Sequence, residues 1–157
     1  MDFYKNEIIL SVEAPFYGAK DQCKDFIQKI KSFCQVIKVS NAYKVQAGMK
    51  NESQAMIVLS IFVRTSLIVE KFLEKTQEIQ TKVNFKLLTY NQEISMIPDL
   101  TLPHPDLVSQ SILLYCSAEV LPNYVHPILK KDLGTLSLRH EFTEDAEFYL
   151  QGKTFIE

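Results

Sequence analysis

Apolar positions along the chain recur with two spacings, and these divide it into strands and helices. The most apolar stretch, Gln54 to Val63 (QAMIVLSIFV), is nearly continuous, which predicts a strand buried on both faces at the centre of a sheet. Glu7 to Val12 is a shorter run with β-branched residues and predicts a strand that Pro15 and Gly18 end. Lys20 to Cys34 carries Cys23, Phe26, Ile27, Ile30 and Phe33 at helical spacing, with Lys and Asp between them. Val36, Ile37 and Val39 begin a second strand that continues through Tyr43 and Val45, and Gln46 to Ser53 is a polar loop. A helix over Leu67 to Ile79 follows, with Thr65 or Ser66 as its cap. Val83 to Tyr90 is a further strand, and Asn91-Gln92 turns the chain into Glu93 to Ile97. Leu107 to Leu121 reads as a helix broken near Ser111 and ended by Pro122. Ile128 to Leu136 reads as a short helix with Gly134 near its end, and Glu141 to Glu157 as an irregular tail ending in an edge strand.

Strands and helices in this order do not make regular βαβ units. They predict an α+β, ferredoxin-like fold with helices packed on a mostly antiparallel sheet. At 157 residues the expectation is one domain over 1–157, with a core about 7–136 and a C-terminal tail at 137–157. Hydrophobic residues at 46% and charged residues at 23% argue against disorder. A net charge of −2 lacks the basic surface that non-specific nucleic-acid or anionic-membrane binding needs.

The first residues carry charges at Asp2, Lys5 and Glu7 without a long apolar region, and no run is long enough to span a bilayer. A cytoplasmic location is therefore expected. Cys23, Cys34 and Cys116 are odd in number and form no CxxC pair, so buried thiols are expected rather than a zinc site or disulfides. His104, His126 and His140 lack HxH or HExxH spacing, so no metal site is read from them. No GxxxxGK[ST], GxGxxG or nucleophile-elbow pattern occurs.

Four ordered patterns, needing no gaps between them, carry a family resemblance. They are Tyr90-Asn91-Gln92-Glu93-Ile94, Leu102-Pro103-His104-Pro105, Ala118-Glu119-Val120-Leu121-Pro122, and His126-Pro127 followed by Lys130-Lys131. Weaker matches lie upstream at Val39 to Lys44 and at Arg64-Thr65-Ser66-Leu67. Over roughly Ile8 to Leu136 the chain resembles the bacterial 6-hydroxymethyl-7,8-dihydropterin pyrophosphokinases of folate biosynthesis. The resemblance implies a ferredoxin-like three-layer α/β/α sandwich. It also implies a transferase activity that moves pyrophosphate from ATP to a pterin hydroxymethyl group with two magnesium ions.

The residues that the family uses for this are replaced here. Its metal-holding aspartates fall on Asn84 and Lys86, and a protonated lysine repels a cation instead of ligating it. Its pterin-reading Asn falls on Val58, its phosphate-binding Arg on Gln110 and its pterin-stacking aromatic on Ile112. Its Gly-Ser-Asn falls on Ser11-Val12-Glu13, and its Pro-Pro-Leu-Gly loop near Gln46 to Met49. Only Thr81 to Val83 separates Gln80 from Asn84, where the family has a long basic loop. Tyr43, Val58, Pro103, His104 and Ile112 are then the remnant of a ligand site, and no catalytic set is intact.

The expectation is a catalytically degenerate family member, a pseudoenzyme that acts as a binding or interaction module without a cofactor. Its partner would be a protein or small molecule, and homodimerisation through an edge strand or the aromatic tail (Phe148, Tyr149, Phe155) is open. The alternative is an active ATP- and magnesium-dependent pyrophosphokinase with relocated carboxylates such as Glu13, Glu93 or Asp106. Pro103 to Pro105 and His126 read first as structural turns, Lys86 as a solvated strand lysine, and Asp106 as the cap of the helix after it.

Overall fold

The computed structural model describes residues 4–46, 54–138 and 146–157. Its main sheet has six strands: β1 (Asn6–Pro15), β2 (Gln35–Val39), β3 (Ala42–Val45), β4 (Met56–Thr65), β5 (Asn84–Tyr90) and β8 (Ala146–Leu150). The order is β5, β1, β4, β3, β8, with β2 also pairing with β4, and every pairing is antiparallel. A separate two-stranded sheet joins β6 (Ser95–Ile97) to β7 (Leu100–Leu102).

Two helices, α1 (Ala19–Ile30) and α2 (Val69–Gln77), cover one face of the main sheet. The other face carries α3 (Asp106–Ser109), α4 (Ser111–Val120) and α5 (Leu133–Leu138). The result is the three-layer α/β/α arrangement that the resemblance implies. No helix among the described residues is long and apolar enough to cross a membrane.

Strand periodicity explains the two cores. Ile8, Leu10, Val12 and Ala14 of β1 and Ile57, Leu59, Ile61 and Val63 of β4 face α1 and α2. Ile9 of β1 and Val58 and Phe62 of β4 face the other way, onto Leu113 and Leu114 of α4. β4 is therefore apolar on both faces, as the unbroken run Gln54 to Val63 predicts. The three cysteines are free and buried, and desolvation pushes the thiols of Cys23 and Cys34 up to about 12.

Several local expectations are corrected. β2 and β3 lie along the same side of β4 but are separate, because the Ser40 hydroxyl accepts the Ser60 N–H that a continuous strand would pair. Neither Thr65 nor Ser66 caps α2: Ile68 is the N-cap residue, and the Thr65 hydroxyl donates to the Phe33 carbonyl while accepting the Leu67 N–H. The break near Ser111 falls one residue earlier, at Gln110, which is extended. The short helix does not begin at Ile128. His126 Nδ1 accepts the N–H groups of Ile128 and Leu129, Lys130 takes a left-handed φ of 60°, and α5 starts only at Leu133. Asp132 accepts the Thr135 N–H at 2.6 Å and caps it, which places Gly134 near the start.

The edge strand expected in the tail is β8, and a 3-10 turn over Gly152–Phe155 follows it. Phe155 reaches the core beneath α1 and α2. The loop residues 47–53 and His140 lie outside the described residues.

Gly152 is where this tail locks onto the sheet. A Cβ there would stand 2.0 Å from the Val39 carbonyl oxygen and 2.6 Å from that of Ser40. Gly152→Ala is expected to lower stability by about 1–3 kcal/mol, the usual cost of overpacking. Urea denaturation monitored by circular dichroism measures this, and an unchanged midpoint contradicts the close approach.

Candidate functional site

The face of the sheet under α3 and α4 gathers the residues singled out in the sequence. Asn84, Glu13, Val58, Tyr43 and Phe148 are successive Cα partners across β5, β1, β4, β3 and β8. Lys86, Ser11 and Ser60 form the adjacent row. Alternation along each strand points both rows away from α1 and α2.

At the β5 end, Lys86 meets the turn that leads into α3. The Leu102–Pro103 peptide is cis. The His104 N–H donates to the Leu88 carbonyl at 2.8 Å and so fastens the turn to the outer edge of β5. His104 Nδ1 accepts the Asp106 N–H at 3.0 Å. The Asp106 carboxylate does not cap α3. It accepts a hydrogen bond from Lys86 Nζ at 2.8 Å, and His104 Nδ1 lies 3.9 Å from the same oxygen. Lys86 is thus neither a freely solvated strand lysine nor an open cation waiting for an anionic ligand.

The charges follow from this geometry. The Lys86 ammonium holds the Asp106 carboxyl below its usual range. Burial pushes His104 down, which the Asp106 charge opposes and the Lys86 charge reinforces. A neutral imidazole with Nδ1 as acceptor fits the bond that His104 makes. The pair is partly exposed, with 37% of the Lys86 side chain and 27% of that of Asp106 open to solvent. Its net contribution is accordingly about 1 kcal/mol or less.

The positions implied for divalent ions do not fit them. Asn84 offers a neutral oxygen, Lys86 a cation, and Asp106 a carboxylate already engaged. Among the described residues no three His, Cys, Asp or Glu side chains converge on a metal-sized site. Glu13 stands between Asn84 and Val58 on the sheet, while Glu93 is exposed in the turn after β5.

On the opposite side of the face, the Tyr43 hydroxyl donates to both oxygens of Glu119 at 3.0 and 3.1 Å. Burial and the Glu119 charge push the Tyr43 phenol up. Burial raises Glu119, against the Tyr43 hydroxyl, the Asn41 backbone and Lys38. Val58 is buried, and Ile112 packs on the same apolar cluster. Gln110 is exposed at the joint between α3 and α4, where its backbone N–H donates to the Asp106 carbonyl at 3.1 Å. Sequence reasoning missed two partners, Asp106 for Lys86 and Glu119 for Tyr43. Both lie far from their mates in sequence, 20 and 76 residues away, so no local spacing announces them.

His126 is buried, and burial lowers its affinity for protons as it does that of His104. For both, the unfolded chain binds protons more readily, so stability rises with pH from below 6.5 toward neutrality. Asp106 has the same sign in a lower window: its contribution is lost as pH falls through its depressed folded value. Both imidazoles are expected to titrate below their ordinary value in NMR. In Lys86→Met, Asp106 is expected to return toward the usual carboxylate range. An unchanged Asp106 titration contradicts the ion pair.

No protein-family model matches the chain. It is 27% identical over 121 residues to the 2-amino-4-hydroxy-6-hydroxymethyldihydropteridine pyrophosphokinase of Aquifex aeolicus, covering 68% of this chain and 75% of that protein. Its fold is similar to that of wild-type Plasmodium falciparum HPPK-DHPS, with a TM-score of 0.67 at 9% identity, covering 91% of this chain and 48% of that one. A second HPPK-DHPS crystal structure, in complex with substrates, gives 0.71 at 9% identity and covers 91% and 46%. The chain spans about half the length of these solved structures. Low identity makes the structural likeness a statement about fold, and the sequence match is what adds kinship. The chain is related, by sequence and by fold, to the 6-hydroxymethyl-7,8-dihydropterin pyrophosphokinase family of folate biosynthesis.

Proposed function

We propose that this chain keeps the family scaffold without its pyrophosphoryl transfer and works as a binding or interaction module. The observation that carries the reading is the 2.8 Å ion pair between Lys86 and Asp106. In the family, phosphoryl transfer depends on metal ions that neutralise charge developing on the phosphates. Here the sheet position that would hold a metal-binding carboxylate supplies a cation, and the nearby carboxylate is spent on that cation. The Lys86–Asp106 pair is neutral without a metal.

The remaining side chains support the same reading. Val58 and Ile112 present hydrocarbon to the space where the family reads and stacks a pterin, and Gln110 carries no charge for phosphate. A module of this kind needs no cofactor of its own. Its partner would be a protein or small molecule met on the sheet face, or a second copy met at the β8 edge.

A second reading, an active pyrophosphokinase that uses ATP and magnesium, draws on one observation. Glu13 is the Cα partner of Asn84, so one carboxylate does stand beside the former metal position. A single carboxylate and a neutral amide make a weaker divalent site than two carboxylates.

Release of AMP from ATP in the presence of magnesium and 6-hydroxymethyl-7,8-dihydropterin separates the two. No turnover above the uncatalysed background is expected, even at high protein concentration. Turnover that disappears in Glu13→Gln establishes the second reading and ends the first.

A further inference from the structure

At the outer edge of the sheet, away from Lys86 and Asp106, a shallow open cavity of about 350 Å³ lies between β2, β8 and the terminal 3-10 turn. Its lining includes Lys38, Asn41, Phe148, Gln151, Gly152 and Lys153. The geometry points to this cavity as a binding site for a phosphate monoester that carries an aromatic ring.

Charge is the first reason. Lys38 and Lys153 line the cavity and, among the described residues, no acidic residue does, in a chain whose net charge is −2. Neither lysine is in a salt bridge among the described residues. The carboxylate that acts on Lys38 is that of Glu119, which the Tyr43 hydroxyl already engages. Two lysine point charges match the two negative charges of a phosphate monoester at neutral pH, without requiring a bidentate fork.

The second reason is the ring at the rim. Phe148 is 56% exposed, an unusual state for a phenylalanine inside a strand. It is not loose, because Tyr43 holds it edge-on, with ring centroids 6.3 Å apart and planes at 84°. A fixed, exposed aromatic surface beside two cations suits a ligand with an apolar ring and an anionic end.

The third reason is rigidity. The Gly152 N–H donates to Asn41 Oδ1 at 3.1 Å, which leaves the Asn41 amide N–H₂ group as a donor. Because Gly152 packs on the Val39 and Ser40 carbonyls too closely for any Cβ, the backbone of this wall is fixed by the contact between the 3-10 turn and the end of β2, next to the β3–β8 pairing. The backbone of the lining is therefore formed before a ligand arrives, which leaves only the lysine side chains to be ordered on binding.

Lysines beside an edge strand have another use, keeping the edge from pairing with other strands. That role needs charge alone, whereas a site needs charge, ring and cavity together. The proposal is independent of the reading given for the Lys86 face, and its failure leaves that reading untouched.

Titration of the ¹⁵N-labelled chain with phenyl phosphate, inorganic phosphate and phenol, followed by NMR, tests it. Phenyl phosphate is expected to saturate with a Kd on the order of 1 mM and to shift the Gly152 amide and the Asn41 side-chain amide, with phosphate about tenfold weaker. Lys38→Gln combined with Lys153→Gln is expected to abolish saturation. Phe148→Ser is expected to bring phenyl phosphate down to the level of phosphate, while phosphate itself is unaffected. All three side chains are exposed, and dispersed spectra confirm that the variants fold. Three results overturn the site: no saturation with phenyl phosphate, shifts that map elsewhere, or phenol binding as tightly as phenyl phosphate.

Discussion

The pairing of β1 with β4 is the constraint on which the remaining structure depends. Ten consecutive Cα partners, from Asn6 with Thr65 to Pro15 with Met56, fix one register without a bulge. Because side chains alternate, a slip of one residue would send Ile8, Leu10 and Val12 to the helix α4 side and bring Ser11 and Glu13 into the core beneath α1 and α2. Burial of Ile57, Leu59, Ile61 and Val63 on one face, and of Val58 and Phe62 on the other, makes that slip costly. Everything on the site face inherits its position from this register.

Polar chemistry is then arranged on a face that is otherwise apolar. Ser60 and Ser117 place their hydroxyl oxygens 3.2 Å apart between β4 and α4, Tyr43 ties β3 to Glu119 of α4, and Lys86 ties β5 to Asp106 of α3. Each contact satisfies a polar group that helix packing would otherwise strand. The same bonds that hold α3 and α4 to the sheet also consume the side chains that could meet a ligand. In the Lys86 pair the Asp106 carboxylate is engaged by the lysine, which leaves Glu13, the Cα partner of Asn84, as the other carboxylate beside the former metal position.

How much of this was legible in the sequence follows from the range of each interaction. The central strand β4 and helix α1 were readable because burial alone sets their periodicity. The Pro103-His104 and His126-Pro127 patterns were readable as turns and as kinship, since both histidines bond their own neighbouring backbone. The segment before α5 was misread because its conformation rests on a side-chain acceptor, His126, and on a left-handed Lys130, a position where asparagine or glycine would have signalled the turn. Asn91, by contrast, takes its φ of 50° with a residue suited to it, and it stands where the resemblance has a glycine. Lys86 could be recognised as foreign to a metal site, but its partner could not be named, because only the fold brings Asp106 to it.

The central claim of the proposed function is that the Lys86–Asp106 pair occupies the position where a divalent ion would otherwise be held. Isothermal titration with a non-hydrolysable ATP analogue and 6-hydroxymethyl-7,8-dihydropterin, with and without magnesium, tests it most directly. The account predicts no magnesium-dependent ternary complex of the chain with the nucleotide and the pterin. Tight ternary binding that appears only when magnesium is present would contradict it.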